Sequence, residues 1–335
     1  MITLWQQNGK KLARCEKNEL DSASNTWIDA RSINREDFRV LEEEYGIQAE
    51  HITDILDPDE LSRIEKEDEY ILVIVRVPLY TPADDVSYCT IPLGIIIFEK
   101  AVVTICWTDC DLLRDIAVTR LSLNDLPAFV VKVLSRADVT FLRYLKEINR
   151  TSTAIQNELQ RSIRNNELIK LLNLEKSLVF FTTSLKSNQL LLEKMAKTRF
   201  LKFDEDDREW LEDVEIDNRQ AIEMADTYSD IMSGMMDAFA SVISNNLNIV
   251  MKRLTIVSLV LMVPTFIVSF FGMNIQLPLT EAGGLGVVVV GGLCVVLSLG
   301  AYLLILRGEK TPDEKPKNPP VLRSKKAPGE EPQKK

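Results

Sequence analysis

The sequence predicts an α+β protein with three parts: an N-terminal α/β domain, a region of long helices, and two C-terminal helices that cross a membrane. Three observations predict it. Residues 254–306 contain one charged residue, Glu281, in 53 positions, although the whole chain is 27% charged. No proline occurs from Ala128 to Val263, and Gly234 is the only glycine in those 136 positions. Before residue 125, short β-branched runs alternate with amphipathic stretches of helical period.

Residues 1–125 are read as the α/β domain. Its strand candidates are TWIDA (26–30), YILVIVRVPLY (70–80), GIIIFE (94–99) and AVVTICW (101–107), and its helix candidates are EDFRVLEEEYG (36–46) and EHITDILD (50–57). The five cysteines (15, 89, 106, 110 and 294) form no CxxC pair, which argues against a zinc ribbon or a disulfide framework. The net charge of −10 argues against a nucleic-acid partner. No GxxxxGKS/T phosphate loop is present, so ATP-driven chemistry has no support.

Residues 126–253, with no proline after Pro127 and Gly234 as the one glycine, carry a nearly unbroken helical instruction. RFLKF followed by DEDDREWLEDVEID predicts a turn near 199–205, with acidic residues opening a new helix at the end where its dipole favours them. A helix running on to Phe271 would be roughly 100 Å long at 1.5 Å per residue.

Residues 254–271 and 286–306 are charge-free runs near the ~20 residues a helix needs to cross a bilayer. Lys252 and Arg253 precede the first, Arg307 and Lys310 follow the second, and the 272–285 connection has no Lys or Arg. The positive-inside rule then places both flanks in the cytoplasm and the connection outside. The N-terminus shows no apolar run of signal-peptide length, so the bulk of the chain and both termini are expected to be cytoplasmic. The 307–335 tail, rich in Lys, Glu and Pro, reads as disordered.

A stripe runs along the long helix. Counting back in sevens from Gly272 gives Thr265, Ser258, Met251, Ser244 and Asp237; the interleaved set is Ser269, Met262, Thr255, Asn248 and Ser241. None of these eleven is a branched aliphatic or an aromatic residue, whereas the positions between them within the span are mostly Ile, Val, Leu and Phe. A 3.5-residue repeat marks helices that supercoil about a common axis. Small and hydroxyl-bearing stripes permit close helix packing. Polar groups at membrane depth also line wet cavities, and Asp237 and Asn248 are larger than close packing requires. Met251, Leu254 and Met262 are candidates for apolar constrictions.

The span MKRLTIVSLVLMVPTFIVSFFGMN, the short outer connection, the second span and its basic flank resemble the CorA-type magnesium channels, and Gly272-Met273-Asn274 matches that family's hallmark triplet. The likeness covers about residues 20–307. It implies a homopentamer with a funnel-shaped cytoplasmic domain in the plasma (inner) membrane, and a pore lined by the first membrane helix of each subunit. By position, Asn274 would form the outer selectivity ring, and Gly272 would let backbone carbonyls approach the ion. Thr265, Met262, Leu254, Met251, Asn248 and Asp237 would line the pore inward. Asp213 matches a position that binds regulatory Mg²⁺ between subunits, with Asp84 or Asp85 as its partner; a solvated helix-face charge is the plain alternative for Asp213. The sequence departs from the family pattern at Phe271, where tyrosine is usual, at Pro264, which is displaced by one residue, and in the outer connection, whose only carboxylate is Glu281.

The expected function is therefore influx of Mg²⁺, with Co²⁺ and Ni²⁺ as further candidates, driven by membrane potential and closed by cytoplasmic Mg²⁺. A ring of amides and carbonyls suits a hydrated dication, since Mg²⁺ sheds its water reluctantly. A zinc-transporting member of the superfamily is the nearest alternative, although His51 is the only histidine and no cysteine lies on the stripe. A membrane-anchored coiled-coil scaffold without transport is the alternative from another class.

Overall fold

The computed structural model describes residues 1–8, 11–16, 24–118, 123, 125–161, 165–273 and 284–308. The chain divides into two compact units, Met1–Ala240 and Ser241–Lys335. Among the described residues the first holds seven strands: β1 (Ile2–Asn8), β2 (Lys11–Cys15), β3 (Thr26–Arg31), β4 (Arg63–Lys66), β5 (Ile71–Tyr80), β6 (Tyr88–Ile97) and β7 (Ala101–Cys106). They form one sheet of order β2-β1-β3-β7-β6-β5-β4, in which only β3 and β7 pair in parallel.

Helices cover both faces of this sheet. α1 (Arg35–Glu43) and α2 (Ala49–Leu56) lie on one side, while α3 (Asp111–Val118), α4 (Leu126–Arg161) and α5 (Asn165–Lys197) lie on the other. The side-chain alternation of a strand explains how β5 serves both faces. Leu72 and Ile74 enter the core under α1 and α2, while Val73, Val75 and Val77 enter the core under the long helices. A strand buried on both faces reads as a continuous apolar run, which is why β5 is legible in the sequence. α1 starts in a capping box, with Asn34 Oδ1 accepting the N–H groups of Glu36 and Asp37 at 2.8 Å each. β6 passes so close to α2 that a Cβ on Gly94 would lie 2.2 Å from Cδ1 of Ile55.

Two prolines sit inside strands without breaking the sheet. Arg76 pairs with Pro92, and its N–H and C=O both face the β4 side, where Asn188 of α5 bonds them at 2.9 and 2.8 Å. Pro78 lies two residues on, so its nitrogen also faces the β4 side, beyond the last β4 pairing at Arg63–Ile74. The Arg76 guanidinium is buried and donates to Thr90 Oγ1 (2.7 Å), Ser184 Oγ (3.2 Å) and the carbonyls of Pro58 and Glu60. One strand residue thereby joins β5, β6 and α5.

The helical region differs from an uninterrupted helix over 128–198. α4 ends at Arg161 and α5 begins at Asn165, and the two helices pack on each other. The break at 198–204 lies where the acidic run predicts it: Asp204 caps α6 (Glu205–Phe271) by accepting the Asp207 N–H at 2.7 Å. In the first unit α6 buries Leu211, Val214, Ala221, Ile222, Ala225, Met232 and Phe239 at helical spacing.

The second unit contains the rest of α6 and α7 (Gly284–Gly308), both long and apolar enough to cross a membrane. Almost none of either apolar stretch is buried within the chain, which separates them from the core helices of a water-soluble domain. The expectations for the outer connection beyond Met273 and for the 309–335 tail lie outside the described residues.

Candidate ion-conduction helix

Within the second unit, the least exposed residues of α6 are Ile256, Val260, Val263, Pro264, Ile267 and Phe271. Their spacing of three and four defines one helix face. Val260 and Pro264 line a groove with Cys294, Val295, Ser298, Leu299 and Tyr302 of α7. The less exposed positions of α7 are Gly286, Val290, Cys294, Ser298, Gly300 and Ala301, mostly small, and the first four are spaced four apart. Small residues in such a row let two membrane helices approach closely.

The polar stripe occupies the opposite side of α6. Ser241, Ser244, Asn248, Met251, Thr255, Ser258, Met262, Thr265, Ser269 and Gly272 are all exposed, as is Leu254 beside them. At 3.6 residues per turn, the members from Met251 to Gly272 centre about half a turn from the face that packs on α7. In the first unit, Asp237 is likewise exposed on α6. From Ala240 to Thr255 no residue is buried, and the exposed set includes Val242, Ile243, Leu247, Ile249 and Val250.

The stripe hydroxyls have a defined polarity. Thr255 donates to the Met251 carbonyl at 2.9 Å, Ser258 to Leu254 at 3.0 Å and Thr265 to Leu261 at 2.8 Å. A hydroxyl whose proton is spent on its own helix presents oxygen lone pairs outward, which suits water molecules around a cation. Pro264 has no N–H, so the Val260 carbonyl on the α7 side lacks its intrahelical donor. At the end of α6, Gly272 donates to the Val268 carbonyl at 2.9 Å and Met273 to Phe270 at 3.4 Å. Asn274, the third residue of the triplet, lies outside the described residues.

The candidate regulatory residues are apart in the chain. Asp213 is exposed on α6, and Asp84 and Asp85 are exposed in the 81–87 connection between β5 and β6. Neither carboxylate-rich cluster found among the described residues includes them. One of those clusters, Asp125, Asp204 and Asp207, joins the N-termini of α4 and α6. Asp125 accepts the Ala128 N–H at 3.1 Å, so capping accounts for it, and burial beside Asp125 and Asp204 pushes the Asp207 carboxyl up. The other, His51 with Glu65 and Glu67, carries no sequence motif, because its members come from a helix and a strand.

One further acid escaped the pattern of the sequence. Asp138, inside α4, is almost fully buried, and neither carboxyl oxygen has a hydrogen-bond partner among the described residues. Burial, with Asp217 nearby, pushes its carboxyl well above the usual carboxylate range.

Comparison with known proteins agrees with this architecture. The Cobalt/magnesium transport protein CorA of Methanocaldococcus jannaschii is 30% identical over 271 residues, which cover 76% of this chain and 82% of that protein. The complete structure of the CorA magnesium transporter from that organism superposes with a TM-score of 0.75 at 23% identity, covering 93% of this chain and 98% of the other. The ZntB cytoplasmic domain from Vibrio parahaemolyticus shares the fold at a TM-score of 0.55 and 12% identity, over 73% of this chain and 97% of that one. Residues 22–307 match the family described as CorA-like Mg2+ transporter protein, and the chain belongs to that family.

Proposed function

We propose that this chain is the subunit of an oligomeric divalent-cation channel that admits Mg²⁺ into the cytoplasm. The observation that carries the reading is the position of the stripe. It occupies the face of the first apolar helix opposite the one that packs on α7, and it remains uncovered in the single chain. Polar side chains at membrane depth need a protein or water partner. Copies arranged about one axis would supply both, with Asn248, Met251, Leu254, Thr255, Ser258, Met262, Thr265 and Ser269 along the path and Asp237 at its cytoplasmic end. The exposed apolar residues from Val242 to Val250 would then be buried between copies. The M. jannaschii relative is a cobalt/magnesium transport protein, which supports the same cargo.

In this reading the assembly is a homopentamer in the plasma membrane. Residues 1–125 and 126–253 form its cytoplasmic body and stalk, residues 254–271 and 286–306 its spans, and both termini stay inside. The 272–285 connection presents Gly272, Met273 and Asn274 at the outer mouth, where amide and carbonyl oxygens hold a hydrated ion briefly. An inside-negative potential supplies the driving force, about 4.6 kcal/mol per 100 mV for a dication. Mg²⁺ held between subunits by Asp213 and Asp84 or Asp85 closes the path as the ion accumulates.

Flux into liposomes carrying the full chain tests this directly. Mg²⁺, Co²⁺, Ni²⁺ and Zn²⁺ are supplied in turn, with and without a proton gradient. The channel reading expects potential-dependent Mg²⁺ entry that Asn274→Ala impairs, together with weaker inhibition by internal Mg²⁺ in Asp213→Asn. Equal flux in wild type and Asn274→Ala removes the selectivity ring. Absence of any cation flux leaves a scaffold, and entry of Zn²⁺ alone makes the chain a zinc transporter.

A further inference from the structure

We infer that His51, Glu65 and Glu67 form a binding site for a first-row transition-metal dication, of the Co²⁺, Ni²⁺ or Zn²⁺ class, at the open edge of the sheet. The reading is independent of transport, since these residues belong to α2 and to the segment around β4, far along the chain from either span.

The fold brings the three together by ordinary means. Among the described strands β4 is the last of the sheet and pairs only with β5. The Glu67 N–H bonds the Tyr70 carbonyl at 2.9 Å and closes the turn between the two strands. Glu65 and Glu67 are two residues apart on an extended segment, so both lie on the same face. α2 packs Ile52 and Ile55 into the core and carries His51 beside that face. One ligand atom from each of the three residues lies within 4.8 Å of the other two.

The imidazole is positioned as a metal ligand would be. His51 is 7% exposed, and its ring meets Tyr70 edge to face at 5.9 Å between centroids. Nδ1 lies 2.8 Å from Tyr70 Oη, which also accepts the Gln48 N–H at 3.2 Å. In the tautomer whose Nδ1–H donates to the phenol oxygen, the Nε2 lone pair is directed to the glutamates. Such an outer hydrogen bond on the far ring nitrogen fixes the tautomer of metal-bound histidines. Nε2 faces Glu65 Oε2 at 3.6 Å, beyond hydrogen-bond length. That gap is close to the roughly 3.3 Å between two donors that share a tetrahedral ion with bonds of about 2.0–2.1 Å.

The carboxylates are held but not consumed. Glu65 Oε1 accepts Arg63 Nε at 2.9 Å, and Glu67 Oε2 accepts Gln48 Nε2 at 3.3 Å. Arg63 is also shared with Asp54 and Glu60, so three carboxylates surround one guanidinium and the local charge stays negative. Both glutamates are partly exposed, which gives an ion and its remaining waters a route in. A nitrogen ligand with two carboxylates selects borderline metals, whereas Mg²⁺ prefers an all-oxygen shell.

His51 is the only histidine in the chain, so any metal-bound imidazole reports this site. The test uses tag-free, full-length protein in detergent, titrated with Co²⁺ in the presence of excess Mg²⁺ to fill all-oxygen sites. Cobalt K-edge absorption then reads the ligands. The expected result is one retained Co²⁺ per chain with one imidazole ligand. It should be lost in His51→Gln and weakened at least about tenfold in Glu67→Gln, whose partly exposed position spares the fold. Circular dichroism of each variant confirms folding. Cobalt without imidazole scattering, cobalt–sulfur scattering, or equal retention by folded His51→Gln overturns the assignment. Liposome flux of Glu67→Gln equal to wild type is expected, which keeps failure of this site distinct from failure of the channel reading.

Discussion

Asn188→Leu is the substitution that best tests how the long helices are tied to the sheet. Asn188 is fully buried on α5 and takes the place of a missing strand where β4 has ended. Its Oδ1 accepts the Arg76 N–H at 2.9 Å and the Ser62 hydroxyl at 2.6 Å, and its Nδ2 donates to the Arg76 carbonyl at 2.8 Å. Leucine keeps the volume but removes all three bonds. The Arg76 N–H retains Ser62 Oγ at 3.2 Å, and the Ser62 hydroxyl can turn, so the carbonyl is the group left fully orphaned. An unpaired buried group costs about 1–3 kcal/mol, and weakening of the other two bonds adds to it, giving a loss of about 2–4 kcal/mol. For a unit of this size that lowers Tm by roughly 5–15 °C. Thermal unfolding of the full chain in detergent, followed by far-UV circular dichroism, reads it out. A shift below about 2 °C, or a rise, would refute the claim that Asn188 substitutes for a strand.

Two further outcomes follow from buried contacts. Gly94→Ala places a methyl group 2.2 and 2.6 Å from Cδ1 and Cγ1 of Ile55, and should cost about 1–3 kcal/mol through overpacking of β6 against α2; adding Ile55→Ala should recover part of the loss in the same melt. Asp138 has a folded-state carboxyl raised above its ordinary 3.8 by burial and by Asp217, so the folded state holds the proton more tightly than the unfolded one. Stability should therefore fall as pH rises above about 4, and Asp138→Asn should flatten that fall in urea midpoints measured from pH 4 to 8.

What the sequence shows and what it hides follow physical lines. β5 and β7 are legible because each is a run of β-branched residues buried on two faces, and α1 because its cap and period agree. β1, β2 and β4 are not, because ITLWQQN, KLARC and RIEK owe their conformation to neighbouring strands rather than to pattern. The division between α4 and α5 is hidden because no proline or glycine marks it. The stripe on α6 is visible because a 3.5-residue period is a local property of one helix.

By itself the sequence determined the two apolar spans, their flanking charges, the Gly272-Met273 end of α6 and the polar stripe, all of which depend on the order of residues along one helix. The tertiary structure alone decided which side of α6 lies against α7, because that depends on the small-residue face of a helix some 30 positions further on. It also decided that His51 stands beside Glu65 and Glu67 and that Asn188 completes β5. Those contacts join residues 14 to 112 positions apart, and no local period records a pairing made only when the chain folds.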